Sequence, residues 1–169
     1  MEYTCEGSIS KAMSRMWLLR RLKLVKLEPE TILDYYIKEI RPIVEHGVAI
    51  WNSGLTQSQV NDLEKVQKIA LKIILGESYI SYEVACTLMN ISPLKYRRKE
   101  LCTKYAIKLF KSSKSSDYFT PASKQANTRS SQQLLVKEKT SNTKRCHNAP
   151  HNYLARLINE NKDKILRNR

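Results

Sequence analysis

The chain has 169 residues, and its 30 lysines and arginines against 16 acidic residues leave a formal charge of +14. Its hydrophobic fraction of 41% suffices for one core-forming domain with a polar extension. Because no run of about 18 apolar residues occurs, we expect no membrane span, and the acidic, polar start MEYTCEGSIS predicts no signal peptide. So large a basic surplus favours a polyanionic partner, because lysines and arginines that neutralise phosphates release the counterions condensed on them.

The cysteines are widely spread and form no close pairs. This spacing argues against a disulfide framework and indicates a reducing compartment, either nuclear or cytoplasmic. The four positions are Cys5, Cys86, Cys102 and Cys146.

Glycine and proline are scarce and apolar residues recur at steps of three and four, which predicts an all-α fold, a small multi-helix bundle. The first helix is expected over residues 9–25, with an apolar stripe facing the core. Within its stretch SRMWLLRRLK we expect Trp17 to pack in that core rather than stack on a base. Arg20 and Arg21 fall on the polar side, where guanidinium groups are available for phosphates.

The second and third helices carry clear start and stop signals. Pro29 favours the first turn of a helix, and Pro42 predicts a kink near residues 38–41 because it removes a backbone donor. Thr56 and Gln59 have the spacing of a capping box, opening a helix that should end at Gly76. We expect Trp51 and Gln67 to belong to the helix-packing core.

A short helix should follow Ser81, and Ser92 with Pro93 should open a helix that extends to Lys111. Along its own sequence, seven cations are opposed only by Glu100. Such a surplus costs self-repulsion unless an anion offsets it, so nucleic-acid contact is preferred to a merely solvated face. The seven cations are Lys95, Arg97, Arg98, Lys99, Lys104, Lys108 and Lys111.

After Lys111 the composition becomes rich in Ser, Thr, Asn, Gln and Lys. We therefore predict three parts: a helical domain over residues 1–111, a disordered polar linker over 112–148, and a short C-terminal amphipathic helix over 149–169.

The sequence contains no recognisable catalytic motif. The aspartates are too far apart in the chain for a two-metal site, and no glycine-rich phosphate loop occurs. Cys146, His147 and His151 share six residues, yet zinc needs about four ligands, so we favour loop residues near a helix start over a metal site. The chain alone is expected to have no catalytic residue, no metal and no cofactor.

Three segments follow one another: SKAMSRMWLLRRLKLVKL, ILDYYIKEIRPIVEHGVAIWNSGLT and LEKVQKIALKIILG. In this order they resemble the C-terminal region of non-LTR (LINE-type, jockey-like) retrotransposon reverse transcriptases. RRKELCTKYAIKLFKS and TKRCHNAPHNYLARLIN are similar to later elements of that family, so the resemblance covers nearly the whole chain. The matching positions in the first three segments are Leu19, Arg20, Leu22, Tyr36, Ile40, Arg41, Val44, Glu45, Trp51, Leu55, Leu63, Glu64, Gln67, Lys68, Ala70, Ile73, Ile74 and Gly76.

This resemblance implies thumb and post-palm helices, which in reverse transcriptases hold the template–product duplex. The palm, with its Tyr/Phe-x-Asp-Asp metal-binding motif, is then expected upstream of residue 1. The chain departs from the family at three positions. His46 stands where the family usually has an aromatic residue, and Cys146 stands where it more often has tyrosine. Ile69 follows Lys68, whereas in the family an arginine follows this lysine.

Three hypotheses of different classes follow. The first is a non-catalytic module that grips RNA and/or DNA, such as an RNA–DNA hybrid, through phosphates. The alternative is a structural helical domain that docks on a polymerase palm, or a degenerate remnant without function; an enzyme with an unrecognised site is a third hypothesis. The predicted nucleic-acid contacts are Arg20, Arg21, Lys95, Arg97, Arg98, Lys99, Lys104 and Lys108.

Overall fold

A computed structural model describes residues 5–112, 115–122, 135–139 and 143–167. The described chain is mostly helical, which confirms the predicted all-α class. It forms two compact units: unit 1 comprises Met1–Gly47 with Leu55–Arg98, and unit 2 comprises Val48–Gly54 with Lys99–Arg169. The boundary thus falls inside the helix that we predicted to close the first domain at residue 111.

The helices are short except for three of 18 to 20 residues. In chain order they are α1 (Cys5–Leu24), α2 (Pro29–Tyr35), a π-helical turn (Tyr36–Ile40), α3 (Arg41–Glu45), α4 (Val48–Trp51), α5 (Gln57–Leu75), α6 (Tyr82–Leu88), α7 (Leu94–Lys111), α8 (Ser115–Tyr118), α9 (Lys144–His147), α10 (Pro150–Glu160) and α11 (Lys162–Arg167). Short 3-10 turns follow α4 and α5, at Asn52–Gly54 and Gly76–Ser78.

Unit 1 is built on the packing of α1 against α5, with α2 and α3 also against α1. In α1 the buried positions Ala12, Met16 and Leu19 follow steps of four and three, as the helical period predicts. In α5, Leu63, Val66 and Ala70 repeat the pattern, so each helix presents one apolar face to this core.

The π-helical turn Tyr36–Ile40 lies where we predicted a kink. Pro42 has no backbone N–H to donate to the carbonyl of Lys38. The N–H of Arg41 donates instead to the carbonyl of Tyr36, five residues earlier, which widens the helix locally.

The predicted capping box of α5 is confirmed. Thr56 Oγ1 accepts a hydrogen bond from the N–H of Gln59 at 3.3 Å, and Gln59 Oε1 accepts from the N–H of Thr56 at 3.0 Å. At the other end Gly76 has φ +58°, a conformation that side-chain-bearing residues rarely adopt, and it ends the helix as predicted.

Unit 2 is organised around α10, whose buried Leu157 and Ile158 share a core with Val48 of α4 and with Cys102 and Ala106 of α7. The half-buried Trp51 packs against this cluster, as expected of a core residue. The predicted C-terminal helix is present and is interrupted at Asn161, which separates α10 from α11.

The segment 112–148 differs at its described residues from the disordered linker that we expected. Strand β1 (Thr120–Pro121) pairs antiparallel with β2 (Val136–Lys137), and α8 and α9 flank this pair in sequence. Phe119 and Val136 are buried in the unit 2 core, so two apolar residues anchor an otherwise polar segment. The structure does not describe residues 113–114, 123–134 and 140–142, so the disorder that we predicted for them lies outside the described residues.

Candidate nucleic-acid interface

One exposed face of α1 combines an aromatic ring with two guanidinium groups. Trp17, Arg20, Arg21 and Leu24 are spaced by three, one and three residues, which places them on the same side of the helix. We call these four residues the α1 basic face. Arg20 and Arg21 are exposed and take part in no ion pair within the described residues.

The prediction that Trp17 packs in the core is wrong, because the residue is 58% exposed in the structure. The buried stripe of α1 passes through Met16 and Leu19, and Trp17 is one residue, or about 100°, beyond Met16. Trp17 therefore presents an apolar ring at the surface beside Arg20 and Arg21.

Three of the predicted contacts, Lys95, Arg97 and Arg98, lie in the unit 1 part of α7, and only one of them is exposed. Lys95 is exposed. Arg97 donates from Nε to Glu45 Oε1 at 3.3 Å, and the same carboxylate oxygen lies 3.2 Å from Arg41 Nε. Arg97 therefore takes part in an ion-pair cluster that joins α3 to α7 within unit 1.

Arg98, which we predicted to contact a phosphate, is buried instead of exposed, with the residue 2% exposed. Leu94, Arg98, Cys102 and Ala106 are spaced by four and are all buried. The spacing of four residues can be read from the sequence, but our prediction was based on the clustered positive charge instead. Periodicity, rather than charge, decides which side of α7 faces inward.

The unit 2 part of α7 carries the remaining predicted contacts. Lys99 Nζ lies 3.1 Å from Glu160 Oε2, and Lys104 Nζ lies 2.6 Å from Glu100 Oε1. These side chains are about half exposed or more, and such surface pairs contribute about 0–1 kcal/mol, so a phosphate can replace the carboxylate. Lys108 is exposed and lies four residues after Lys104, on the same face.

The sequence interpretation missed a basic row on α5. Lys65, Lys68 and Lys72 are spaced by three and four residues along a groove of about 450 Å³ in unit 1. Tyr79 and Tyr82 line the same groove. The spacing of the three lysines along one side of α5 is a signal in the sequence for this row.

Behind this groove lies a buried polar cluster centred on Gln67, which the sequence correctly placed in the core. Gln67 Oε1 accepts from the Tyr36 hydroxyl at 3.3 Å, and Gln67 Nε2 donates to the Tyr82 hydroxyl at 3.1 Å. Burial raises the pKa of both tyrosines above the ordinary value. Burial also raises the pKa of the Cys86 thiol, which disfavours the nucleophilic thiolate there.

The segment around Cys146, considered as a metal site, makes contacts of another kind. Arg156 Nη1 donates to the carbonyl of His147 at 3.0 Å and lies 3.1 Å from its Nε2. Partial burial and the charge of Lys139 lower the pKa of His151. Among the described residues no group of three or more His, Cys, Asp or Glu is arranged to bind a metal ion.

Within the part of the chain that the structure describes, no helix has both the length and the apolarity required to cross a bilayer. The chain matches no protein-family model, no curated protein and no solved structure in the three comparisons.

Proposed function

We propose that the chain is a non-catalytic nucleic-acid-binding module that holds a duplex through its phosphates. The observation that carries this proposal is the α1 basic face, where Arg20 and Arg21 are exposed beside the exposed Trp17. A planar guanidinium donates two parallel hydrogen bonds to phosphate oxygens, so two such groups on one face favour a phosphate ligand.

Two further features support a polyanionic partner. The net charge of +14 produces a long-range attraction that does not depend on base sequence. Lys95 on unit 1, and Lys104 and Lys108 on unit 2, add exposed cations to both compact units. Each unit therefore has its own basic residues for backbone contacts.

The resemblance to reverse transcriptases suggests the kind of nucleic acid. Thumb and post-palm helices of that family hold a template–product duplex, which makes an RNA–DNA hybrid the first substrate to test, in a nuclear or cytoplasmic setting. In this proposal the chain needs no metal or cofactor of its own, because phosphate contacts position a duplex without chemistry.

Fluorescence anisotropy with a labelled RNA–DNA hybrid at several salt concentrations tests the proposal. Arg20→Ala with Arg21→Ala should weaken binding to all sequences alike and reduce the salt slope by about two, one for each contact. Lys11→Ala with Lys38→Ala removes the same charge from exposed positions outside the α1 basic face and serves as the matched control. Equal losses from both pairs would show that net charge alone drives binding.

A second candidate function is docking on a polymerase palm, and the apolar end of the α1 basic face favours it. Leu24 and Val25 are 72% and 71% exposed at the end of α1, forming an apolar ridge. Apolar docking is insensitive to salt, whereas phosphate contacts weaken steeply as salt increases. A partner that remains bound at high salt and is lost in Leu24→Ser with Val25→Ser would support docking.

A further inference from the structure

A second basic surface of unit 1 lies along α5, away in sequence from the α1 basic face. Lys65, Lys68 and Lys72 form one side of the groove of about 450 Å³, and residues 79–83 form the other. Over these seven residues the helix rises about 10 Å, so the three ammonium groups follow the length of the groove. Glu83 also lines it, and three lysines against one carboxylate leave the lining positive.

Two of these lysines lie over aromatic rings. Lys68 Nζ is 5.2 Å from the centre of the Tyr82 ring, and Lys72 Nζ is 5.4 Å from that of Tyr79. A cation–π contact leaves the ammonium hydrogens available for oxygen acceptors on its other sides. Lys65 pairs with Asp62 at 2.7 Å on the exposed surface, a contact that a phosphate can replace.

The wall of the groove is held in place from behind. The Tyr82 hydroxyl donates to Glu64 Oε1 at 2.7 Å and accepts from Gln67 Nε2, so its ring has little freedom. Tyr79 is half-buried, and the neighbouring Ile80 is 81% exposed at the rim. The Tyr82 part of the wall is therefore preordered, which reduces the entropy lost when a ligand binds beside it.

We propose that this groove binds a single-stranded nucleic acid, with the α5 lysines on successive phosphates and Tyr79 and Ile80 packing against an unpaired base. A row of cations beside aromatic rings is the usual composition of single-strand sites, because every base has a face that stacks on a ring. In a duplex these faces are stacked on one another. The inference rests on the proposed function, since both require a nucleic-acid partner, but it uses different residues.

The test measures binding of the full chain to fluorescein-labelled oligo(dT) of twelve nucleotides and, separately, to an RNA–DNA hybrid. Lys68→Gln with Lys72→Gln should weaken oligo(dT) binding about tenfold and reduce the single-strand salt slope by about 1.4, or 0.7 for each phosphate contact. Tyr79→Leu should cost about tenfold without changing that slope, because it removes stacking and no charge. Lys11→Gln with Lys38→Gln is the charge-matched control, for which we expect less than a twofold change, and circular dichroism checks that all variants fold.

Different outcomes separate this inference from the proposed function. If the α5 pair weakens oligo(dT) binding no more than the control pair, the groove is not a single-strand site, although hybrid binding through Arg20 and Arg21 would stand. If polyglutamate of equal charge displaces oligo(dT) as well as unlabelled oligo(dT) does, the groove binds any polyanion and the inference fails. A selective loss of oligo(dT) binding, with hybrid binding at the control level, supports it.

Discussion

Asn159 binds both backbone polar groups of Val136. Its Nδ2 donates to the Val136 carbonyl at 2.9 Å, and its Oδ1 accepts from the Val136 N–H at 3.1 Å. Asn152, seven residues earlier on α10, binds Lys139 in the same way, at 3.2 Å and 2.9 Å. The two asparagines thus fix an extended segment to the helix by its main chain.

Replacing Asn159 by alanine should release the segment 135–139. The N–H groups of Leu135 and Val136 and the Val136 carbonyl would lose their partners at the edge of the unit 2 core, at a cost of about 2 kcal/mol. Hydrogen exchange measured by mass spectrometry should show faster exchange at these amides. Asn61→Ala, on the exposed side of α5, is the control, and unchanged protection of residues 135–139 in Asn159→Ala would contradict the prediction.

The stability of unit 1 should fall at alkaline pH. Burial raises the pKa of Tyr36 above its ordinary value, so the unfolded chain ionises first, at a pH of about 10. The contribution of Tyr36 is fully present below that pH and is lost as the pH rises towards the folded pKa, with a slope of at most about 1.4 kcal/mol per pH unit. Urea unfolding between pH 8 and 11 measures it.

Tyr36→Phe should make that decline shallower but not abolish it, because the pKa of Tyr82 in the same unit is also raised, whereas the exposed Tyr96→Phe should leave it unchanged. All other ionisable groups are shared by the wild type and Tyr36→Phe, so the difference between their curves isolates the buried hydroxyl. Identical slopes for the wild type and Tyr36→Phe would show that Tyr36 does not cause the decline.

Arg98→Ala should act on folding rather than on nucleic-acid binding. The side chain lies in the buried row between Leu94 and Cys102, so its truncation should cost about 1–3 kcal/mol of unfolding free energy. The exposed Lys95→Ala should leave stability within about 0.5 kcal/mol. Denaturant unfolding followed by the salt dependence of hybrid binding separates the two effects. A reduced salt slope with unchanged stability in Arg98→Ala would restore it as a phosphate contact.

Thr56→Ala should destabilise α5 by about 1 kcal/mol, the usual cost of removing an N-cap side chain. The substitution removes the Oγ1 that accepts from the N–H of Gln59, whereas the bond from the Thr56 N–H to Gln59 Oε1 uses only the backbone of residue 56. Thermal unfolding by circular dichroism measures the loss. Thr87→Ala, on the exposed side of α6, is the comparison, and equal stabilities of the two variants would argue against a contribution from the cap.

Local rules predicted a large part of the fold. The caps at Thr56 and Gly76 and the distortion before Pro42 depend on neighbouring residues only, so sequence spacing was sufficient to find them. The buried place of Gln67 was also predicted, although its hydrogen-bond partners come from distant parts of the chain and could not be.

The errors concern residues whose environment is set by tertiary packing. Trp17 was assigned to the core because isolated aromatic residues of helices are usually buried, yet its angular position on α1 places it outside. Arg98 was assigned to the surface from its charge, yet it falls on the buried row of α7. Phe119 and Val136 stand in a polar segment, and only the core of unit 2 explains their burial. For Trp17 and Arg98, the angular position on the helix therefore predicts burial better than the residue type does.

The asparagine pair on α10 has a consequence for how the neighbouring segment tolerates mutation. Seven helical residues rise about 10 Å, and three residues of extended chain, from 136 to 139, cover about the same distance. Because Asn152 and Asn159 bind N–H and carbonyl groups, the side chains of residues 137 and 138 are free to vary without loss of this attachment. Proline at position 136 or 139 would remove a required N–H. Insertion or deletion of a single residue between them would break the match in length, so this stretch should accept many substitutions but no change in its number of residues.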